Sequence, residues 1–358
     1  MSAGEGGRFP SPLPVDSLSM WEATASLPEQ LSAAVAAAGQ VPGLELSAPI
    51  TNVVVTGMGG SGVVGDLVAA VAAPQMAVPV TVVKDYRLPA FCGPDTLVVA
   101  VSFSGDTAET LEAVRAAAGA SASVVAVTAG GALGRLAEAE GWPVFGVPAS
   151  IPQPRAALGA MAAPALVALE RLGLLEGVTA RLAAAAGFLA TRRDRLVAPG
   201  SPAEEVARRI GRTFPLVHGS PGPAAVAAVR WKTQVNENAK SPAFASVHPE
   251  LCHNEVAGWG QDGDVTRQVL TVVTLRHDAE HPGVSRRFEA VEEVMLEVVA
   301  DIVAVRTEAT EDLARFFDLA LFGDLVSLHL AGREGTDPGP VPVLGEIKAR
   351  LSAPSGPS

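Results

Sequence analysis

The chain has 358 residues, with 26 Lys and Arg against 38 Asp and Glu, 48% hydrophobic residues and 4% aromatics. At roughly 100–200 residues per domain it is one large or two ordinary domains, and its core must be built from Ala, Val and Leu. A net charge of −12 without a basic patch argues against nucleic acid or a membrane surface as partner, and two cysteines, Cys92 and Cys252, cannot make a disulfide scaffold.

In chain order, the opening residues lack a charged segment followed by an apolar run, so a cytoplasmic protein is expected. Short Val- and Ile-rich runs then alternate with Ala- and Leu-rich stretches, the pattern of parallel β-α units. Strands are expected at 52–56, 80–84, 97–102, 123–128 and 143–147, with helices beginning near Gly62, Asp106 and Ala132. Residues 156–196 carry apolar side chains at helical spacing, broken near 173–177 and ended by Pro199-Gly200-Ser201-Pro202. The most apolar stretch is interrupted by Pro164, Glu170, Arg171 and Glu176, which excludes a spanning helix. A second series follows, with strands at 214–219, 244–247, 269–276 and 302–306 and helices near 224–240, 286–299 and 313–330. The expected fold is α/β, with two doubly wound parallel-sheet domains. Residues 1–155 form the first, behind a leading helix, 156–200 a helical connector, 201–351 the second with a C-terminal helix, and 352–358 a flexible tail.

Two loops at the carboxyl ends of strands carry the first chemistry. Gly57-Met58-Gly59-Gly60-Ser61-Gly62 joins the first strand to a helix and bares backbone amides for an anion. It satisfies G-x-G-x-x-G, so a dinucleotide site with Asp85 on a ribose is a rival, and a tight packing turn is the bland alternative. Ser102-Phe103-Ser104-Gly105-Asp106-Thr107 follows the third strand and places three hydroxyls at another helix start. Asp106 or Thr107 alone could be an ordinary N-cap. Two such loops on one sheet edge suit a compact phosphomonoester better than a dinucleotide.

In the second half, Glu237 sits among Arg230, Lys232 and Lys240 in the last turn before Ser241-Pro242, where a carboxylate opposes the helix dipole. A solvated surface glutamate is the bland reading. His248 and His253 stand five apart with Pro249 between them, which is no recognised zinc spacing, and His253 could be an ordinary loop histidine.

Together these residues resemble the sugar isomerase (SIS) domain, and the chain nearly end to end resembles the bifunctional phosphoglucose/phosphomannose isomerases. The likeness runs through Leu27-Pro28-Glu29-Gln30, Tyr86-Arg87-Leu88-Pro89, Gln153-Pro154-Arg155, Asn236-Glu237-Asn238-Ala239-Lys240, His253-Asn254-Glu255 and Asp337-Pro338. The resemblance implies that Gly60, Ser61, Ser102, Ser104 and Thr107 hold the phosphate of glucose or mannose 6-phosphate. It further implies that His253 opens the ring, that Glu237 moves the proton between C2 and C1, and that Arg155 stabilises a cis-enediolate. Lys348 falls near the family's catalytic lysine. No cofactor or metal is implied, and a homodimer with shared active sites is, the histidine coming from the other subunit. The alternative is a non-catalytic sugar-phosphate-binding SIS protein. One departure stands out. Where the family often has Asp-Pro-Thr-Pro, this chain has Asp337-Pro338-Gly339-Pro340, so the family's threonine contact beside C2 is lost while room for the mannose epimer is expected.

Overall fold

Strands β1 (Asn52–Thr56), β2 (Val80–Val83), β3 (Thr96–Ser102), β4 (Ser123–Thr128) and β5 (Val144–Gly146) form a parallel sheet in the order β2-β1-β3-β4-β5. Val53, Val55, Leu97, Val99 and Val101 face one layer of helices, and Val54, Val98 and Ala100 face the other. A sheet covered on both faces needs near-continuous apolar runs, and β3, at its centre, is buried along its whole length. Strands β6 (Phe214–Gly219), β7 (Phe244–Val247), β8 (Leu270–Arg276) and β9 (Asp301–Arg306) make a second parallel sheet, ordered β7-β6-β8-β9. The fold is therefore α/β with two parallel sheets, as the sequence pattern requires. This computed structural model describes residues 8–45 and 49–352, without the side chains of 348, 351 and 352. The expected flexible tail lies outside the described residues except for the backbone of Ser352.

The segment expected as a connector holds two helices, Leu158–Arg171 and Val178–Leu196, parted where Gly173 and Gly177 take φ of +70° and +67°. Behind them runs the 22-residue helix Asp312–Arg333, buried along nearly its whole length. One continuous apolar cluster passes from Val53 and Leu97 of the first sheet through Met161, Leu166, Phe317 and Leu325 to Val217 and Val273 of the second. No described helix is long and apolar enough to cross a membrane.

The helices after β1, β3 and β4 are Gly59–Ala72, Ala108–Gly119 and Gly131–Glu140, starting within three residues of their expected positions. Two short helices, Pro202–Ile210 and Gly263–Val269, have no counterpart in the sequence reading. Pro199-Gly200-Ser201-Pro202 reads as a turn, yet Pro202 is the first helical residue and Ser201 caps the helix, its Oγ accepting from the Glu204 amide at 3.2 Å.

The tightest helix contact fixes a glycine. Trp231 Nε1, on the helix Pro223–Gln234, donates to the Leu319 carbonyl at 2.7 Å, and a Cβ at Gly323 would lie 2.2 Å from that nitrogen. Gly323→Ala should therefore cost about 1–3 kcal/mol of unfolding free energy, as overpacked cores do. Urea denaturation checks this: a lower midpoint is expected, and an unchanged one would show that the two helices separate freely.

Candidate active site

The two loops on the first sheet's carboxyl edge are tied to each other. Ser61 Oγ accepts from the Phe103 amide at 3.3 Å, and the Ser102 and Thr107 hydroxyls lie 3.0 Å apart. Ser102 Oγ also accepts from the Gly105 amide at 3.1 Å, and Ser104 Oγ from the Asp106 amide at 3.2 Å. Thr107 stands at the N-cap of Ala108–Gly119, but its hydroxyl makes no capping bond, and Asp106 Oδ1 instead accepts from the Ala132 amide at 2.9 Å. Neither residue is the ordinary cap that sequence alone allowed. The helix Gly59–Ala72 likewise begins with no side-chain cap. Two uncapped helix starts beside small hydroxyls have the chemistry of an anion cradle.

Gly60 brings this cradle against the rest of the site. A Cβ there would lie 3.3 Å from the backbone of Pro154 and Arg155, so the glycine lets the segment carrying Arg155 pack directly on the loop.

Arg155 is buried, and each of its five N–H donors faces an acceptor. Nε donates to Asn238 Oδ1 at 2.7 Å, and Nη2 donates to the Pro338 and Gly339 carbonyls at 2.5 and 2.7 Å. Nη1 makes the two longest contacts, both 3.3 Å, to Gln153 Oε1 and Glu237 Oε2. Burial, and less strongly the neighbouring Arg230 charge, pull Arg155 below the usual arginine value, with Glu237 working against them. The Arg155 carbonyl is held from behind by Arg230 Nη2 at 2.7 Å and Gln234 Nε2 at 3.3 Å. Arg230 is itself paired bidentately with buried Asp324, at 3.0 and 2.6 Å. The cation is thus locked in place, and its weakest bonds are those on Nη1, beside the carboxylate.

The helix expected over 224–240 is not α to its end. It is α-helical over Pro223–Gln234 and then a π turn over Val235–Ala239, closed by Lys240 at φ +56°. Consecutive residues on an α-helix point about 100° apart, whereas here both Glu237 and Asn238 reach one guanidinium. Asn238, missed by the sequence reading, is oriented by Nδ2 donating to Gln234 Oε1 at 3.1 Å and Ser327 Oγ at 2.9 Å. The Lys240 ammonium donates to the carbonyls of Glu237 and, at 3.4 Å, of Pro338. Burial, then the Arg155 charge, lower its pKa.

The structure brings Arg155, Glu237 and the loop at Gly60 together, and His253 is not among their hydrogen-bond partners. His253 ends the 3-10 turn Glu250–His253, is exposed, and makes no hydrogen bond to Arg155 or Glu237. Its turn is anchored at the second sheet's carboxyl edge, where Glu255 accepts from Ser246 and pairs with His218 Nε2 at 3.2 Å. Beneath it His248 is fully buried, its ring centroid 3.9 Å from that of Phe288. Among the described residues no three His, Cys, Asp or Glu side chains are placed to hold one metal ion. Lys348 lies in the helix Pro342–Ser352, its side chain outside the described structure. Nor is the space at Gly339 open, because a Cβ there would meet Leu18 at 2.8–3.0 Å.

Burial, and behind it the His218 and Arg276 charges, hold the His248 imidazole down to about 4. The unfolded chain binds this proton near pH 6.5 and the folded one does not, so stability should fall by up to about 1.4 kcal/mol per unit between pH 6 and 5. His248→Gln should flatten that slope in urea titrations. Equal slopes would mean that His248 is not buried neutral.

Three comparisons bear on this site. A family model of the bacterial phospho-glucose isomerase C-terminal SIS domain matches residues 200–351. The bifunctional phosphoglucose/phosphomannose isomerase of Caldicellulosiruptor bescii is 34% identical over 338 residues, 93% of this chain and 99% of that protein. The protein of the same name from Aquifex aeolicus is 34% identical over 308 residues, 85% and 91% of the two chains. Among solved structures, the C-terminal domain of glucosamine-fructose-6-phosphate aminotransferase from Francisella tularensis superposes with a TM-score of 0.68 at 17% identity, covering 89% of this chain and 96% of that one, a likeness of fold.

Proposed function

The chain belongs to the bifunctional phosphoglucose/phosphomannose isomerase family and is an isomerase, and from that premise we propose that it interconverts glucose 6-phosphate and mannose 6-phosphate with fructose 6-phosphate in the cytoplasm, without a metal, through a cis-enediolate. The observation that carries this reading is the contact between Glu237 and the locked Arg155 guanidinium, at 3.3 Å, with the phosphate cradle packed on the Arg155 backbone through Gly60.

The phosphate sits on the hydroxyls of Ser61, Ser102, Ser104 and Thr107 and the amides around Gly60. It needs no cluster of cations, because backbone dipoles and hydroxyls are the donors. With the ring open, Glu237 takes the proton from C2 and returns it to C1, and the oxygens of the intervening enediolate carry the developing charge. Arg155 stabilises that charge. Four of its five acceptors are neutral, so only Glu237 offsets its field, and the two long Nη1 contacts are the ones a substrate oxygen can replace. His253 opens the ring and Lys348 assists, but the exposed His253 reaches neither partner within one chain. The reading therefore includes a homodimer in which the partner supplies this histidine, and the exposed Val343, Leu344 and Ile347 on the terminal helix support that assembly.

Glu237→Gln keeps the shape of the side chain and removes its basicity, and should lower kcat on both aldose phosphates by at least about 100-fold, within the range for a lost general base. Coupled assays from each hexose 6-phosphate, with and without a chelator, check this. Full activity of the variant would overturn the assigned base, and loss of activity in chelator would overturn metal independence. Saturable binding without turnover by the unmodified protein would leave a sugar-phosphate-binding protein in place of an enzyme.

A further inference from the structure

Resting on that reading, we propose that Leu18, in the N-terminal segment, is a positioning residue for Arg155, acting through the loop of residues 337–339. Two carbonyls of this loop, Pro338 and Gly339, accept both Nη2 protons of the guanidinium, at 2.5 and 2.7 Å. From outside, the loop is held by the segment 16–19. Ser17 N donates to Asp337 Oδ1 at 3.3 Å, and the same oxygen accepts from the Gly339 amide at 3.0 Å. Leu18 lies directly over the Gly339 α-carbon, with its Cβ, Cγ and Cδ1 at 2.9, 2.8 and 3.0 Å from where a Cβ would stand. Leu18 therefore occupies the place that a side chain at 339 would take.

The segment is built to hold this pose. Both carboxylate oxygens of Asp16 accept backbone amides, of Met20 at 2.7 Å and Trp21 at 2.9 Å, which fixes it to the helix Met20–Ala25. Ser19 adopts φ +54°, a left-handed conformation that a non-glycine residue keeps only where its surroundings impose it. Leu18 nevertheless stays 37% exposed, so burial of its own surface does not fully explain its position. The contact with Gly339 does. The loop is pinned between Leu18 outside and the guanidinium inside, and any atom added at 339 must displace one of them.

The test is a double-mutant cycle in the full-length protein, with Gly339→Ala, Leu18→Gly and both together, reading kcat, KM and Tm. Gly339→Ala should lower kcat about tenfold or more with KM within about twofold, since a displaced Arg155 acts on the intermediate and not on the phosphate. Leu18→Gly adds no atom and should lower kcat about threefold by loosening the loop. Kcat of the double variant should return to within about twofold of Leu18→Gly alone. A Gly339→Ala enzyme as fast as the unmodified one, or a double variant no faster than Gly339→Ala, would overturn the proposal. If the unmodified protein turns over neither sugar phosphate, the functional reading fails and the Tm cycle decides the pairing: recovery in the double variant supports it, and additive losses overturn it.

Discussion

A single buried cation organises this molecule. Arg155 leaves the end of the first sheet's half and places all five guanidinium donors on acceptors from Gln153, the π turn and the 338–339 carbonyls. A buried charge is tolerated only where its donors are satisfied, so these elements cannot move independently. The Arg230–Asp324 pair, which holds the Arg155 carbonyl from the core side, extends the same constraint into the helix Asp312–Arg333. Removing either partner there would strand a charge beneath the site.

Under the proposed function, this arrangement answers the difficulty of an anionic protein with a dianionic substrate. On the proposed reading the phosphate meets helix-start amides and hydroxyls, which attract it without raising the count of cations. On the same reading the Arg155 guanidinium is kept for the reacting carbons. The π turn matters for the same reason, since it turns two consecutive side chains onto one cation and places an acceptor, Asn238, beside the proposed base, Glu237.

Much of the fold was legible in the sequence because the central strands are covered on both faces and so read as apolar runs, Val-rich in β1 and β3. The two loops at the first sheet's carboxyl edge were legible as strand-to-helix turns because they carry glycine and small hydroxyls in a fixed order after a strand. What could not be read was whatever depends on distant segments meeting. Asn238 is a polar residue beside a glutamate, and nothing local distinguishes it; its role appears only when Ser327, 89 residues away, is seen to orient it. The helix 224–240 reads as α throughout because its apolar spacing is regular up to Gln234, while the π turn answers to Arg155. Gly339 reads as added room, and Leu18, 321 residues earlier in the chain, fills it.

The central claim is that Arg155 and Glu237 act as one reacting unit, and it is tested most directly by kcat/KM for glucose 6-phosphate in Arg155→Met, Glu237→Gln and the double variant. Groups that act together lose their joint effect once, so the double variant should be no worse than the poorer single variant by more than about threefold. Losses that multiply would contradict the account, because the cation and the carboxylate would then work independently.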